Sequence, residues 1–441
     1  MSTRELDELQ AIADRVVAKA LPGEEIEVHV TRGRETDIRV YQGEVEHFVS
    51  AQSQSVSIRV IHEGRTGTSS GGVLTDDAVD EVLAEARENA ELGSVDEWAG
   101  LADPDGVAIV KQDLWDDTLA DYPTAKKIEL AKELERLTLA ADSRLRIDDA
   151  NYSDSASEEA FATTKGIRSS GRSNNCYATV SVLADDNGET QTGYAYAVGK
   201  NPDEFDLPAA AAKAAERATK LLGAVKPPSK RTTVVLDPMV TSQFLSIIAG
   251  TLHGESVVKG RSIFANRVGE EVASPLITLT DDPTDSRAYT AHEIDSEGLA
   301  ARRNVLIKDG VLQMFVHSSY SARRMNAKST GNGSGCMALQ LTPGTKSQEE
   351  LIAGIDEGVL IYSVQGLHSG VNPVSGDFST GASGLMIRGG KIAEPVREFT
   401  IASTLQNMLK NVVAVGGDVD WLPARAVGLS LVIDGITMSG A

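Results

Sequence analysis

Pro227 and Pro228, adjacent in the stretch GAVKPPSK (223–230), stop any helix or central strand from running through them, since proline lacks a backbone N–H and has a fixed φ. Gly223, just upstream, suits the left-handed end of a helix. The chain must change element here, and its 441 residues are too many for one ordinary core. With a second, polar break at Asp103-Pro104-Asp105-Gly106, the reading is three units: residues 1–105, 106–225 and 226–441.

In the first unit, Ser2 and Glu5 have capping-box spacing, and Leu6, Leu9, Ala13, Val16 and Ala20 recur at helical intervals ahead of Gly23. IEVHV (26–30), DIRV (37–40) and SVSIRVI (55–61) alternate apolar with polar residues, which predicts a four- or five-stranded antiparallel sheet, then a helix over 75–91. The second unit repeats the pattern. Ile128, Ala131, Leu134, Leu137 and Ala141 mark a helix beginning near Pro123, and an alanine-rich helix from about Pro208 to Leu222 closes the unit. Between them, TTKGIR (163–168) and ADDNGET (184–190) carry the Lys-Gly and Asn-Gly pairs that tight hairpins use.

Beyond the prolines, TTVVLDPMV reads as a strand, then Asp237 as an N-cap with Pro238 at the first helical position of a helix reaching about Leu252. NVLIKDGVLQMFV (304–316) and GLMIRGGKIAEPV (384–396) are paired apolar runs around Asp309-Gly310 and Gly389-Gly390. The expected class is α+β: N-terminal antiparallel sheets with helices, and a C-terminal strand-rich curved sheet or partial barrel with few helices.

Composition narrows the function. Hydrophobic residues at 41% and charged residues at 24%, with no apolar run near the roughly 20 residues a bilayer needs, exclude a helical membrane protein. The opening MSTRELDELQ has neither the basic end nor the apolar centre of a secretory signal, so a cytoplasmic location is expected. A net charge of −22 repels a phosphate backbone, which makes nucleic acid a poor partner and basic peptides a favoured one. Cys176 and Cys336 are far apart with no CxxC or Cys/His cluster, so neither a disulfide framework nor a structural zinc site is expected.

Five stretches invite chemical readings. TLHGESVVKG (251–260) holds His253 and Glu255, but Gly254 stands where HExxH needs its glutamate, and Val257 and Val258 supply no second imidazole. His253 is therefore expected to be solvent-exposed or helix-capping. HEIDSEG offers His292 and Glu293, with Ser296 in the second histidine's place and loop-forming neighbours. Asp281, Asp282, Asp285, Glu293, Asp295 and Glu297 lack the calcium-loop spacing and read as a solvated acidic loop. STGNGSG (329–335) has no phosphate-loop lysine and reads as a flexible loop that another backbone approaches. SGDFSTGASG (375–384) sets Asp377, Ser379 and Thr380 among glycines, with His368 upstream, but has no GxSxG elbow.

GRSIFANRVGEEVASPLITLTDDP, DSEGLAARRNVLIKDGVL, KSTGNGSG, LTPGTKSQEELIAGIDEGVLI and SGDFSTGASGLMIRGGKIAEPVREFTIAS, in this order over residues 260–441, resemble the C-terminal domain of the TldD/PmbA family. The organisation of residues 1–225 resembles the family's N-terminal part more weakly. The resemblance implies a zinc metallopeptidase assembly in which a TldD-type subunit supplies an HExxxH helix and a distal cysteine, and a PmbA/TldE-type subunit lacks them. Placed without gaps back from GRSIFANRVGE, the histidine, glutamate and histidine positions fall on Leu245, Ser246 and Gly250, none of which binds zinc or acts as a base. The distal cysteine belongs near VGGDVDWLPARAVGLS (415–430), which has none.

The resemblance therefore implies a PmbA/TldE-type chain with no catalytic or metal residues and no cofactor of its own. Zinc and the general base would come from a TldD-type partner in a heteromer that cuts unfolded or modified peptides. Thr330, Gly331, Asn332, Asp377, Ser379 and Thr380 are the expected lining for an extended peptide. Two alternatives are a homodimeric peptide-binding or assembly module without proteolysis, and a hydrolase with an unrecognised site such as a cation bound by the acidic loop 281–297.

Overall fold

A computed structural model describes residues 3–441, with side chains from Leu6 onward, and the capping box expected from Ser2 and Glu5 lies outside them. Helix α1 (Thr3–Val17) leads into strands β1 (Glu24–Tyr41), β2 (Glu44–His62) and β3 (Arg65–Gly71) and helix α2 (Asp76–Leu92). After the short α3 (Asp117–Ala120), the order repeats: α4 (Thr124–Ala141), β4 (Leu145–Thr163), β5 (Arg168–Asp186), β6 (Glu189–Gly199) and α5 (Leu207–Thr219).

These two helix–three-strand–helix units share one antiparallel sheet of six strands, in the order β3-β2-β1-β4-β5-β6, so the first unit contributes three strands rather than the four or five expected of it. The units join where β1 pairs β4, from Glu27 opposite Thr163 to Val40 opposite Ala150. The runs at 26–30 and 37–40 are one strand. Ile26, Val28, Val30, Ile38 and Val40 all have even numbers and so share one face. The first three pack under α1 and α2, and the last two against Leu119 of α3 and Ala131 of α4. The polar residues between them cross the gap between the helical layers, held by strand partners on both sides.

Two glycines let the closing helices lie close on the sheet. A Cβ at Gly67 of β3 would stand 2.1 Å from the Ala90 nitrogen of α2, and one at Gly193 of β6 would stand 2.1 Å from the Ala214 oxygen of α5.

The C-terminal unit runs β7 (Lys230–Leu236), α6 (Pro238–Thr251), α7 (Gly254–Val258), β8 (Leu279–Asp281), β9 (Asn304–Lys308), β10 (Val311–Leu312), α8 (Ser319–Arg324) and β11 (Leu339–Leu341). It continues with α9 (Gln348–Ile352), β12 (Glu357–Gln365), α10 (Leu367–Gly370), β13 (Asp377–Arg388), β14 (Lys391–Thr404), α11 (Leu405–Lys410), β15 (Val412–Val415) and β16 (Leu431–Ser439). Strands β14-β13-β12-β7-β16 form a barrel, closed where Thr400–Ala402 of β14 pair Thr437–Ser439 of β16. The expected strand-rich C-terminal unit is thus a closed five-stranded barrel with β15 added outside, and its β7–β12 pairing is parallel. Asp309-Gly310 and Gly389-Gly390 take positive φ at both central residues (48° and 82°; 55° and 73°), as the hairpin reading requires.

Helix α6 starts as the sequence predicts, with the Asp237 side chain accepting the Met239 N–H and Pro238 at its first position. Phe244, Leu245 and Ile248 join Val234 and Leu236 of β7 and Val359 and Ile361 of β12 in the largest apolar cluster. Each such side chain contributes about 1.5–3 kcal/mol by leaving water.

Polar straps dock the units. Arg217 of α5 pairs with Asp237, both nearly inaccessible. Arg323 of α8 donates to the carbonyls of Trp98, Gly100 and Leu101. Gly298 brings the 295–299 turn against the sheet at φ 74°, where a Cβ would meet the Phe161 ring at 2.4 Å.

Gly193→Ala should lower stability by about 1–3 kcal/mol, because the added methyl meets helix backbone that can only move aside. Gly171→Ala, in the same sheet with nothing within 4 Å of the new methyl, should stay within about 0.5 kcal/mol of the parent. Urea denaturation of the two variants measures this, and equal losses would refute the close-approach account.

Candidate functional site

The structure sets α6 beside the 415–430 segment, the two places where the resemblance puts the family's metal ligands. Ser242 Oγ donates to the Ala426 carbonyl at 2.6 Å. On the helix, Leu245 is 1% exposed inside the apolar cluster, the Ser246 hydroxyl is spent on the Ser242 carbonyl at 2.8 Å, and Gly250 has no side chain. An alkyl group, a hydroxyl bonded within its own helix and a bare backbone do not fit a zinc ion. Cys176 and Cys336 are both buried, and burial pushes both thiols up, away from the thiolate a metal would need. Among the described residues no three His, Cys, Asp or Glu side chains converge as a metal cluster.

His253 is neither solvent-exposed nor capping through its side chain. It is half-buried at the N-cap position of α7 without a side-chain cap bond, against Gly335. Burial holds it, and His317 near it, below the usual imidazole range. Glu255 pairs instead with Lys259 at 2.8 Å.

The loop 329–335 is pinned rather than flexible. Asn332, 2% exposed, donates to Asp281 and accepts from Asn304 Nδ2 at 2.7 Å. Thr330 Oγ1 accepts from the His317 N–H at 2.7 Å, and a Cβ at Gly331 would stand 2.3 Å from the Ala300 oxygen. Thr330 also borders a groove of about 630 Å³ with Met314, Phe315 and Met325. On β13, the side chains of Asp377 and Ser379 are exposed while Thr380 is buried. Among the described residues no hydrogen bond joins the two groups of three, and none joins His368 to Asp377 or Ser379.

The acidic stretch 281–297 is only partly solvated. Asp281 accepts the N–H groups of Met337 and Ala338 at 2.9 and 2.8 Å, Asp295 those of Glu297, Leu299 and Gly333, and Glu297 that of Ser319. These carboxylates serve loop backbone that has no strand partner. Burial outweighs the donors and pushes Asp281 up to about 6, and pushes Asp295 and Glu297 up as well. Asp285 and Glu293 turn outward to Arg287 and Lys111.

A cavity of about 470 Å³ opens where the central and C-terminal units meet. The 113–117 stretch brings Trp115, the 286–291 loop brings Tyr289, and the 415–430 segment brings Trp421. Arg172 stacks over Trp115 at 4.6 Å and Arg287 over Trp421 at 4.7 Å. Asp420, next to Trp421, accepts from Tyr196 at 2.9 Å and Lys213 at 3.0 Å and so holds the segment on the central unit. The sequence reading missed this cleft. Its signal was there, though not selective: Trp115 in DLWDD and Trp421 in DVDWLP sit among acids, as does Trp98 in VDEWAG.

The fold is a six-stranded sheet with two helical layers joined to a closed five-stranded barrel, and the whole of it matches one metallopeptidase family. Family models described as PmbA/TldA metallopeptidase domain 1, central domain and C-terminal domain match residues 26–90, 117–222 and 229–440. The chain belongs to the PmbA/TldD metallopeptidase family. It is similar to the metalloprotease PmbA of Escherichia coli O157:H7, with 28% identity over 94% of this chain and 92% of the relative. It is also similar to a metalloprotease TldD homolog of Haemophilus influenzae, with 31% identity over 67% and 66%. The crystal structure of TldE from Thermococcus kodakarensis shares the fold at TM-score 0.87 and 21% identity, covering 99% of this chain and all of that one.

Asp281 gives the network a pH signature. Its folded value of about 6 lies above the ordinary 3.8, so the native state holds a proton that the unfolded state has released between about pH 4 and 6. The contribution of this group to stability is full below that window and is lost as pH rises through it. The stability difference between the parent and Asp281→Asn should therefore shrink from about pH 4 to 6, measured by denaturant titration, and a difference that stays flat would count against the buried-carboxylate account.

Proposed function

We propose that this chain is the non-catalytic, PmbA/TldE-type subunit of a cytoplasmic zinc metallopeptidase complex that cleaves unfolded or modified peptides. The observation that carries the reading is α6: the positions that would grip and use the metal hold Leu245, Ser246 and Gly250, and Leu245 is committed to the core. The alignment with a PmbA-type relative over 94% of the chain supports the same side of the family. Zinc and the general base would be supplied by a TldD-type partner.

This chain would then hold substrate. Among the described residues the outer edge of β2 from Glu44 to Ser55 has no strand beside it, because β3 pairs only from Val56 onward. An extended peptide can add to such an edge by main-chain hydrogen bonds with little regard to sequence. The exposed Asp377 and Ser379, and the groove beside Thr330, are the parts of the expected lining that a peptide would reach; Gly331, Asn332 and Thr380 would support them from beneath.

The same free edge, with Tyr41, Val45 and Phe48 exposed, favours a second reading, a homodimeric peptide-binding module without proteolysis. Co-expression with a TldD-type subunit from the same cell, purified by a tag on this chain, separates the two. The expected eluate contains both chains, zinc and peptide cleavage, and loses cleavage when the partner's HExxxH glutamate is replaced. Zinc and cleavage from this chain alone would overturn the proposal, and a self-paired chain that never takes up the partner would favour the module.

A further inference from the structure

The cleft between Trp115, Tyr289 and Trp421 carries more negative charge than its own cations balance. Four carboxylates line it, from Asp113, Asp116, Asp117 and Glu204, against Lys200 and Arg287. Both cations already have acceptors: Lys200 Nζ donates to the Asp113 carbonyl at 3.2 Å, and Arg287 forks onto Asp285, which is not part of the lining, at 2.9 and 2.6 Å. The acids are served mainly by neutral donors. Asp116 accepts from Thr118 and Leu119 backbone and from Asn201, Glu204 from the Lys200 N–H, and Asp117 from Trp115 Nε1 at 2.8 Å with Arg172 only at 4.0 Å. The Asp113 carboxylate accepts no hydrogen bond from the described residues.

The walls suit the same kind of guest. An aromatic face attracts a cation through its quadrupole, and here both indoles already hold a guanidinium on one face. Tyr289 is fixed in place by its hydroxyl, which donates to Asn175 Oδ1 at 2.6 Å, and by an edge contact with Tyr177. A cavity of about 470 Å³ at a domain junction, with aromatic walls and a few oriented polar groups, has the form of a binding site rather than a packing fault.

We infer that this cleft binds the guanidinium or ammonium group of a basic side chain on an extended polypeptide, held between the aromatic walls and the Asp113, Asp116 and Glu204 carboxylates. That the guest is a polypeptide rests on the proposed subunit role; that it is cationic rests on the cleft alone. The site lies apart from Asp377, Ser379 and the Thr330 loop, so it selects which peptides this chain retains rather than where they are cut.

The test uses this chain without any partner, since two of its three tryptophans line the cleft and report occupancy by fluorescence. Short end-blocked peptides identical except for one central residue, arginine, citrulline or glutamate, are titrated at low and high salt. The arginine peptide should bind about 3–10-fold more tightly than the citrulline one, with the glutamate peptide weakest and the preference reduced by salt. Asp113→Asn, at an exposed position that leaves folding intact, should reduce the arginine preference about 2–4-fold, and Trp421→Leu should abolish most of the signal and the preference. Equal binding of the three peptides, no saturable binding, or an Asp113→Asn chain that keeps the full preference would overturn the inference. Because no TldD-type subunit is present, such a failure leaves the subunit role standing, and a failed co-purification leaves the cleft standing.

Discussion

Asp237 fixes the relation between the barrel, the helix that springs from it and the central unit. Its carboxylate caps α6 through the Met239 N–H and pairs with Arg217 of α5, while its backbone N–H donates to Ile361 of β12. A buried carboxylate is tolerated only with partners of this quality, and removing one partner of such a pair costs on the order of 3–5 kcal/mol. From this point the placement propagates. The cap sets the helix, Ser242 on the helix holds Ala426, and Asp420 in the same segment returns to Tyr196 and Lys213 on the central unit. The path closes a loop through the central and C-terminal units, and Trp421 lies beside Asp420 on it.

The helix set by Asp237 has been given over to packing. With Leu245 inside the apolar cluster, an imidazole at that position would give up the leucine's burial and place a polar ring where no donor or acceptor awaits it. Gly250, by contrast, faces open space, since nothing lies within 4 Å of the position a Cβ would take. The two positions that the resemblance assigns to histidines therefore differ: Leu245 is part of the core and Gly250 is bare.

What the sequence made legible was local. The I′ turns at Asp309-Gly310 and Gly389-Gly390, the Asp237-Pro238 cap and the closing helices follow from residues within a few positions of one another. The even-numbered parity shared by Ile26 through Val30 and Ile38 to Val40 was also readable, yet the polar stretch between them suggested two strands, because only the flanking strands and two separate helical layers explain its continuity. Barrel closure pairs Thr400 with Ser439, and the sheet junction pairs Glu27 with Thr163; neither register has a local signature. Composition misled at 329–335 and 281–297. Gly, Ser and Asn suggest mobility and acids suggest solvent, but here Asn332 ties the Asp281 and Asn304 side chains together, and the acids Asp281, Asp295 and Glu297 supply partners to loop backbone.

The same economy of carboxylates distinguishes the two acidic regions of the molecule. In the 281–297 stretch each buried acid already accepts from two or more donors, N–H groups at Asp281 and Asp295 and the Ser319 N–H and hydroxyl at Glu297, and has little capacity left for an outside ligand. Around Trp115 and Trp421 the acids lie nearer the surface, their partners are mostly neutral, Arg287 is held by Asp285, and Arg172 reaches Asp117 only at 4.0 Å. With a chain charge of −22 as the background field, the long-range potential favours approach of a cation anywhere on the surface. Aromatic walls and unbalanced carboxylates coincide in the cleft between the central and C-terminal units, so diffuse attraction can become a specific contact there. Its geometry depends on the Asp420 tether and, through Ser242, on the helix that Asp237 begins.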